Sequence, residues 1–177
     1  MKVKIEQQSD VKQSLPERLS AVTRYRLSDA VNRENPRTFT FTLQQQPPYW
    51  TFNGRSFDME GVAAEETVKL NTLEVWEFVN QAGTAEGEMM ETAHPIHLHA
   101  VQFQIIERSV RPDMVSTWES VSAGFVDEGW KDSMLVMPGE RVKILVKFEN
   151  YAGLYLYHCH NLEHEDLGMM RNYRITA

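Results

Sequence analysis

Apolar and polar positions alternate along this chain in short runs, which is the pattern of half-buried β-strands. The clearest run covers residues 73–80, where Leu73, Val75 and Glu77 share one face and Trp76 and Phe78 share the other. Similar runs predict further strands at 38–43, 101–107, 133–136, 142–148, 154–157 and 171–176. Gly, Pro and Asn separate these runs, so we expect an all-β sandwich or barrel.

The segments between the runs refine this expectation. Pro138-Gly139-Glu140 predicts a turn between two strands. Residues 109–130 form the longest irregular stretch, and we expect one short helix near 114–120. Residues 1–20 are polar, which predicts an extended arm or linker.

Composition excludes several classes of function. With 177 residues and 42% hydrophobic content, the chain can bury the core of one domain. A formal net charge of -7 without a basic patch makes a nucleic-acid partner unexpected. No apolar run is long enough to span a membrane, and the polar N-terminus predicts no signal peptide. Met89 and Met90 are expected in the core or a loop.

All six histidines fall in two short motifs, HPIHLH at 94–99 and HCHNLEHEDLGMM at 158–170. The second motif also holds the only cysteine, Cys159. A single histidine on a strand is more often structural than a ligand, and a lone cysteine is most often a small buried hydrophobe. The clustering of these residues reverses both expectations and predicts metal binding.

Strand geometry divides the two motifs between two faces, because successive side chains on a strand point opposite ways. Cys159 then points one way and both flanking histidines point the other. His94 tends to the face opposite that of the two histidines that follow it. If the motifs lie on neighbouring strands, one face presents His94 and Cys159. The other face presents four imidazoles, those of His97, His99, His158 and His160.

The first of these sites gains two ligands from beyond the strand, where His164 and Met169 lie on a loop that can fold back over Cys159. Two imidazoles, one thiolate and a weak thioether suit copper in electron transfer. Zinc also binds His and Cys, but structural zinc usually takes four strong ligands, commonly with paired cysteines. Met170 is an alternative to Met169, and either could instead pack in the core.

At these residues the chain resembles the C-terminal cupredoxin domain of the multicopper oxidases, which include laccases, bacterial spore-coat-type laccases and bilirubin oxidase-like enzymes. The two histidine motifs match that family's C-terminal copper motifs in order and spacing. Residues 129–132 and 138–140 are similar as well. The resemblance covers residues 35–177 and implies a cupredoxin-like Greek-key β-sandwich or barrel. Residues 1–34 would then be a linker or extension from a preceding domain.

The resemblance also implies a role for each position. The type 1 copper ligands would be His94, Cys159 and His164, with Met169 as the axial ligand. The trinuclear copper centre would take His97 on its type 2 copper and His99, His158 and His160 on its type 3 pair. Glu165 matches an acidic position associated with proton delivery, although a solvated loop acid explains it equally well. Asp166 is expected at the surface or behind the ligands.

The implied activity is that of a laccase-like oxidase. Single electrons from a phenol, an aromatic amine or a metal ion would pass from type 1 copper through Cys159, His158 and His160 to the trinuclear centre, where O2 becomes water. The chain carries four of the eight histidines that such a centre needs. Activity would therefore require an N-terminal cupredoxin domain, in the same enzyme or in a second chain.

Two other functions are compatible with these residues. A stand-alone cupredoxin electron carrier needs only the type 1 ligands. A copper storage or sensing module would be favoured by a visible spectrum without the thiolate-to-copper absorption band. The resemblance also implies a periplasmic, extracellular or cell-surface location, since these oxidases are usually exported.

Overall fold

The computed structural model describes Lys4 and residues 14–45, 47–81 and 92–177. In this part of the chain, ten strands form two five-stranded sheets. The first sheet has the order β2-β1-β4-β8-β6, with β1 at Arg37–Gln45, β2 at Pro48–Phe52, β4 at Thr72–Asn80, β6 at Phe103–Val110 and β8 at Glu140–Phe148. The second has the order β3-β10-β9-β5-β7, with β3 at Thr67–Lys69, β5 at His94–Leu98, β7 at Ser133–Val136, β9 at Gly153–Cys159 and β10 at Met170–Thr176.

Short helices interrupt this β-sandwich. Helix α1 covers Val115–Ser122 and follows a 3-10 turn at Pro112–Met114, while α2 covers Leu162–Asp166. Further 3-10 turns lie at Leu27–Asp29 and Ala64–Glu66. No helix in the described ranges is long and apolar enough to cross a membrane.

The predicted all-β class and each of the seven predicted strands are confirmed, with shifts of a few residues at their ends. The strand predicted at 101–107 runs from Phe103 to Val110, so the irregular stretch begins two residues later than expected. The expected helix and the Pro138-Gly139-Glu140 turn are both present. Strands β2 and β3 were not predicted. Met89, Met90 and most of the predicted N-terminal arm lie outside the described residues.

One prediction near the histidines was wrong. His164 and Met169 were both expected on a loop, but only Met169 lies outside the regular elements, whereas His164 lies in the short helix α2. The helix forms because Asn161 precedes it in an extended conformation and its backbone carbonyl accepts N–H bonds from His164 and Glu165. One turn of helix reverses the chain in the few residues available between β9 and β10.

The space between the sheets is filled by aromatic side chains. Trp76, Phe39 and Tyr157 are completely buried there, with ring centroids 4.7 Å apart for Phe39 and Trp76 and 5.0 Å apart for Phe39 and Tyr157. Each such pair contributes about 0.5–1.5 kcal/mol beyond the burial of its apolar area. The core therefore fixes β4 of one sheet against β9, the strand that carries Cys159.

The outer face of the first sheet is also covered, although β4 alternates as a half-exposed strand would. Leu73 and Val75 on that face form a second buried cluster with Ala30. The Asn32 amide pairs with both backbone groups of Val75, at 2.7 and 2.9 Å. The segment before β1 thus lies directly on the sheet.

Candidate metal centre

Three side chains converge in a buried group that we call the first cluster, formed by His94, Cys159 and His164. The Cys159 Sγ atom lies 3.6 Å from Nδ1 of His94 and 3.4 Å from Nδ1 of His164. The two Nδ1 atoms are 3.1 Å apart. All three side chains are almost inaccessible to solvent, with Cys159 at 0%, His94 at 1% and His164 at 6%.

Strand pairing brings these residues together. β5 and β9 are antiparallel neighbours, and Ile96 pairs with Cys159. His94 is two positions from Ile96 and therefore shares its face, as the alternation along a strand requires. The Asn161 amide donates a hydrogen bond of 3.2 Å to the carbonyl of Ala93, which ties the start of α2 to the start of β5. The two histidine motifs therefore lie on neighbouring strands, which was the condition for dividing their side chains between two faces.

The position of Met169 follows from the register of β9 and β10. Met170 pairs with His158, and the Cys159 N–H donates to the Met169 carbonyl at 3.0 Å. Residues directly opposite in an antiparallel pair share a face. Met169 therefore belongs to the Cys159 face, where its side chain is fully buried, whereas Met170 belongs to the His158 face.

Burial sets the protonation of the first cluster. It raises the pKa of the Cys159 thiol to about 11 and, together with the nearby His164, lowers the pKa of His94 to about 3. Burial also lowers the pKa of His164. Without a metal ion the group therefore holds a neutral thiol and two neutral imidazoles at neutral pH. The imidazoles can bind a cation as they are, whereas Cys159 would have to release its proton to bind as a thiolate.

The spacing of the donor atoms fits a single transition-metal ion. Ligands bound at about 2.0–2.3 Å stand about 3.5–3.7 Å apart in a trigonal plane. The observed separations of 3.1, 3.4 and 3.6 Å differ from this by a few tenths of an ångström at most. A His₂Cys triangle with a thioether on the same face is the donor set that copper prefers.

Four further imidazoles form the second cluster, which consists of His97, His99, His158 and His160. Ligand nitrogens of the first three lie within 4.8 Å of one another, and Nε2 of His99 is 3.1 Å from Nε2 of His158. The His160 ring is 5.1 Å from the ring of His158. His158 is buried, but His99 and His160 are exposed, so this group faces outward.

Hydrogen bonds orient two of these rings. Nδ1 of His97 lies 2.8 Å from the Asp132 carbonyl, and Nδ1 of His158 lies 3.0 Å from the Cys159 carbonyl. A ring N–H that donates to a carbonyl leaves Nε2 as the free ligand atom. In both residues the second nitrogen is therefore the one presented to the cluster.

Glu165 lies behind the second cluster. Its carboxylate is 3.5 Å from Nδ1 of His158, and its side chain is 30% exposed. The residue thus contacts both solvent and a histidine of the cluster. Asp166, the next residue of α2, is exposed as expected.

Sequence patterns did not identify Trp50 and Asn161 as residues of the site. Trp50 contacts both imidazoles of the first cluster from β2, and Asn161 links the two ligand-bearing segments. The apolar alternation of residues 49–52 is a weak strand signal that could have located β2. Nothing in that signal indicates a contact with residues more than forty positions away.

The β-sandwich and the His₂Cys site together define a cupredoxin-type domain. The chain belongs to the multicopper oxidase family, whose family model matches residues 30–177. Copper is therefore the metal that the family implies, and the donor set of the first cluster fits it.

The chain is also similar in sequence and structure to individual laccases and multicopper oxidases. The chain is 38% identical to the laccase of Bacillus subtilis over 122 residues, which cover 63% of this chain and 22% of that protein. It is 42% identical to the laccase of Haloferax volcanii over 120 residues, which cover 68% of this chain and 18% of that protein. A solved multicopper oxidase from Aquifex aeolicus superposes with a TM-score of 0.71 at 30% identity, over 96% of this chain and 34% of that one. The chain thus spans about a fifth of its curated relatives.

Proposed function

We propose that this chain is the type 1 copper domain of a laccase-like oxidase that reduces O2 to water together with an N-terminal cupredoxin domain. The observation that carries the proposal is the arrangement of the two clusters on opposite faces of β9. Cys159 belongs to the first cluster and both of its sequence neighbours to the second. One peptide unit on each side therefore connects the two sites.

Within this proposal, His94, Cys159 and His164 would hold the type 1 copper, and Met169 would be a fourth, weaker ligand. His97 serves type 2 copper, and the type 3 pair is held by His99, His158 and His160. Copper bound at the two clusters would supply the one-electron chemistry that oxidation of a reducing substrate and reduction of O2 require. The exposed imidazoles of the second cluster are half of a ligand set that a partner domain completes.

Glu165 has the role of a proton donor in this scheme. O2 reduction consumes protons at the second cluster, and the Glu165 carboxylate contacts both solvent and the His158 ring. A carboxyl group in that position can take a proton from water and hold it beside the cluster. The substrate classes that we propose are phenols, aromatic amines and metal ions. We also propose that the protein is periplasmic, extracellular or on the cell surface, as the family resemblance implies.

The first test is spectroscopic and uses the chain alone. After loading with Cu(II), we expect an intense blue thiolate-to-copper absorption and an EPR spectrum with the narrow hyperfine splitting of a type 1 site. A colourless copper complex would overturn the assignment of the first cluster.

The second test adds the N-terminal cupredoxin domains as a separate chain. We expect oxygen uptake with a phenolic donor from the copper-loaded mixture and none from either part alone. A blue, fully loaded mixture without oxygen uptake would favour a stand-alone electron carrier. The four clustered imidazoles support the oxidase, because a carrier has no use for them.

A further inference from the structure

Trp50 packs against both imidazoles of the first cluster. Its ring centroid lies 4.7 Å from that of His94 at an interplanar angle of 74°, and 4.7 Å from that of His164 at 44°. The side chain is buried, with 5% of its surface exposed. A single indole therefore covers the side of the site on which the two imidazoles meet.

The strand that carries Trp50 is joined to the segment that carries the ligands. β2 is an edge strand, and the Trp50 N–H donates to the Leu167 carbonyl at 2.8 Å. Farther along, the Phe57 N–H donates to the Gly168 carbonyl at 3.1 Å. Both acceptors lie between His164 and Met169, so the segment between these two residues is held against β2.

Gly168 makes this close approach possible. Its φ of +91° is a backbone conformation that favours glycine, and an added Cβ would lie 3.2 Å from Cβ of Ser56. The contact between the two segments is thus tight, since an added methyl group would require Ser56 to shift by a few tenths of an ångström. Such a contact limits how far His164 can move.

We propose that Trp50 is a positioning residue of the type 1 copper site, which fixes the rings of His94 and His164 and keeps water away from the metal. This inference rests on the proposed function, since it assigns copper to the first cluster. The apolar shell around a metal controls the access of water and hence the reduction potential. A water ligand would stabilise Cu(II) relative to Cu(I), so a site opened at Trp50 should have a lower potential.

The experiment compares two substitutions at Trp50 with a matched control in the full chain. Trp50→Leu removes the ring, and Trp50→Phe keeps an aromatic contact with less area. Trp130→Leu makes the same chemical change at a tryptophan that packs on Tyr25, away from the first cluster. Each variant is loaded with Cu(II) and examined by visible absorption, EPR and redox titration, with thermal unfolding of the metal-free form.

We expect Trp50→Leu to fold but to lose blue absorption, to show a wider copper hyperfine splitting and to have a lower potential. Its affinity for copper should fall by about 10–100-fold, as when other residues that support metal ligands are removed, and the loss should be larger for Cu(I) than for Cu(II), as the lower potential requires. Trp50→Phe should stay blue with a potential between those of the wild type and the leucine variant. Trp130→Leu should keep the wild-type spectrum.

The outcomes separate this inference from the proposed function. If the wild type is blue and the Trp50→Leu variant has the same spectrum and potential, the role of Trp50 is overturned but the proposed function is not. A colourless wild type would overturn both. If Trp50→Leu does not fold, Trp50→Phe decides, because an unchanged potential in that variant contradicts the proposal and a lowered one supports it.

Discussion

Cys159 and His158 are neighbours on β9, yet their side chains belong to different clusters. The Cys159 Sγ atom lies 3.4 Å from Nδ1 of His164, while Nε2 of His158 lies 3.1 Å from Nε2 of His99. The alternation of a β-strand alone produces this separation. A change at one residue can therefore be directed at one site while the strand and the other site are kept.

Replacing Cys159 with serine should remove the blue colour and leave the fold. Burial raises the pKa of this thiol to about 11, so the metal-free protein holds a neutral S–H in the cluster. A hydroxyl of similar size replaces it at little cost, but it does not supply a thiolate to copper. Visible absorption of the copper-loaded variant and thermal unfolding of the metal-free variant check this. A metal-free C159S protein that is unfolded while metal-free wild type is folded would contradict it.

Replacing Met169 with leucine should raise the reduction potential and preserve the blue colour. In the proposed type 1 site the Met169 thioether would donate weakly to Cu(II), so its loss would favour Cu(I), while leucine fills a similar buried volume. Redox titration followed by visible absorption measures the change. Met170→Leu is the matched control, because Met170 pairs with His158 on the opposite face. Equal shifts in the two variants would argue against an axial role for Met169.

Replacing Glu165 with glutamine should slow O2 reduction in the reconstituted enzyme by about 100-fold, the lower range for loss of a general acid. The blue spectrum should not change, since the carboxylate contacts His158 rather than the first cluster. Oxygen uptake with a phenolic donor gives the rate. Asp166→Asn makes the same charge change at an exposed neighbour and should retain the wild-type rate. A normal rate in E165Q would show that this acid only faces solvent.

Replacing Glu66 with glutamine should lower the free energy of unfolding by about 3 kcal/mol, because it breaks a buried ion pair. The Glu66 carboxylate accepts two hydrogen bonds from Arg171, at 2.7 and 2.8 Å, and one from the Tyr157 hydroxyl at 2.9 Å. This network links β9 to β10 beside the metal site. Glu65→Gln, a partly exposed neighbour, serves as the control.

Replacing Glu66 with glutamine should also change how the free energy of unfolding depends on pH. Burial acts to raise the pKa of Glu66, but the Arg171 guanidinium, the Ala63 N–H and the Tyr157 hydroxyl together hold it below its ordinary value. A depressed pKa stabilises the fold above the unfolded value of about 4.3, and this stabilisation is lost as pH falls through the folded pKa. Denaturant unfolding as a function of pH should therefore show a steeper acid loss for wild type than for E66Q. Parallel curves would assign the acid sensitivity to other carboxylates.

The sequence by itself determined the fold class and the division of the histidine and cysteine side chains between two faces. Both follow from a local rule, because successive side chains of a strand point to opposite faces. This rule assigns His158 and Cys159 to opposite faces without any knowledge of the neighbouring strands. The same rule predicted the two faces of β4, with Leu73 on one and Trp76 on the other.

Only the tertiary structure decided which distant residues complete the site. The register of β9 against β10 places Met169, and not Met170, on the Cys159 face, and this register depends on the turn that α2 makes between the two strands. Trp50 reaches His94 and His164 because the edge strand β2 meets the ligand-bearing segment at Gly168. Contacts of this kind depend on how the sheets pack, and the local alternation of side chains carries no information about that packing.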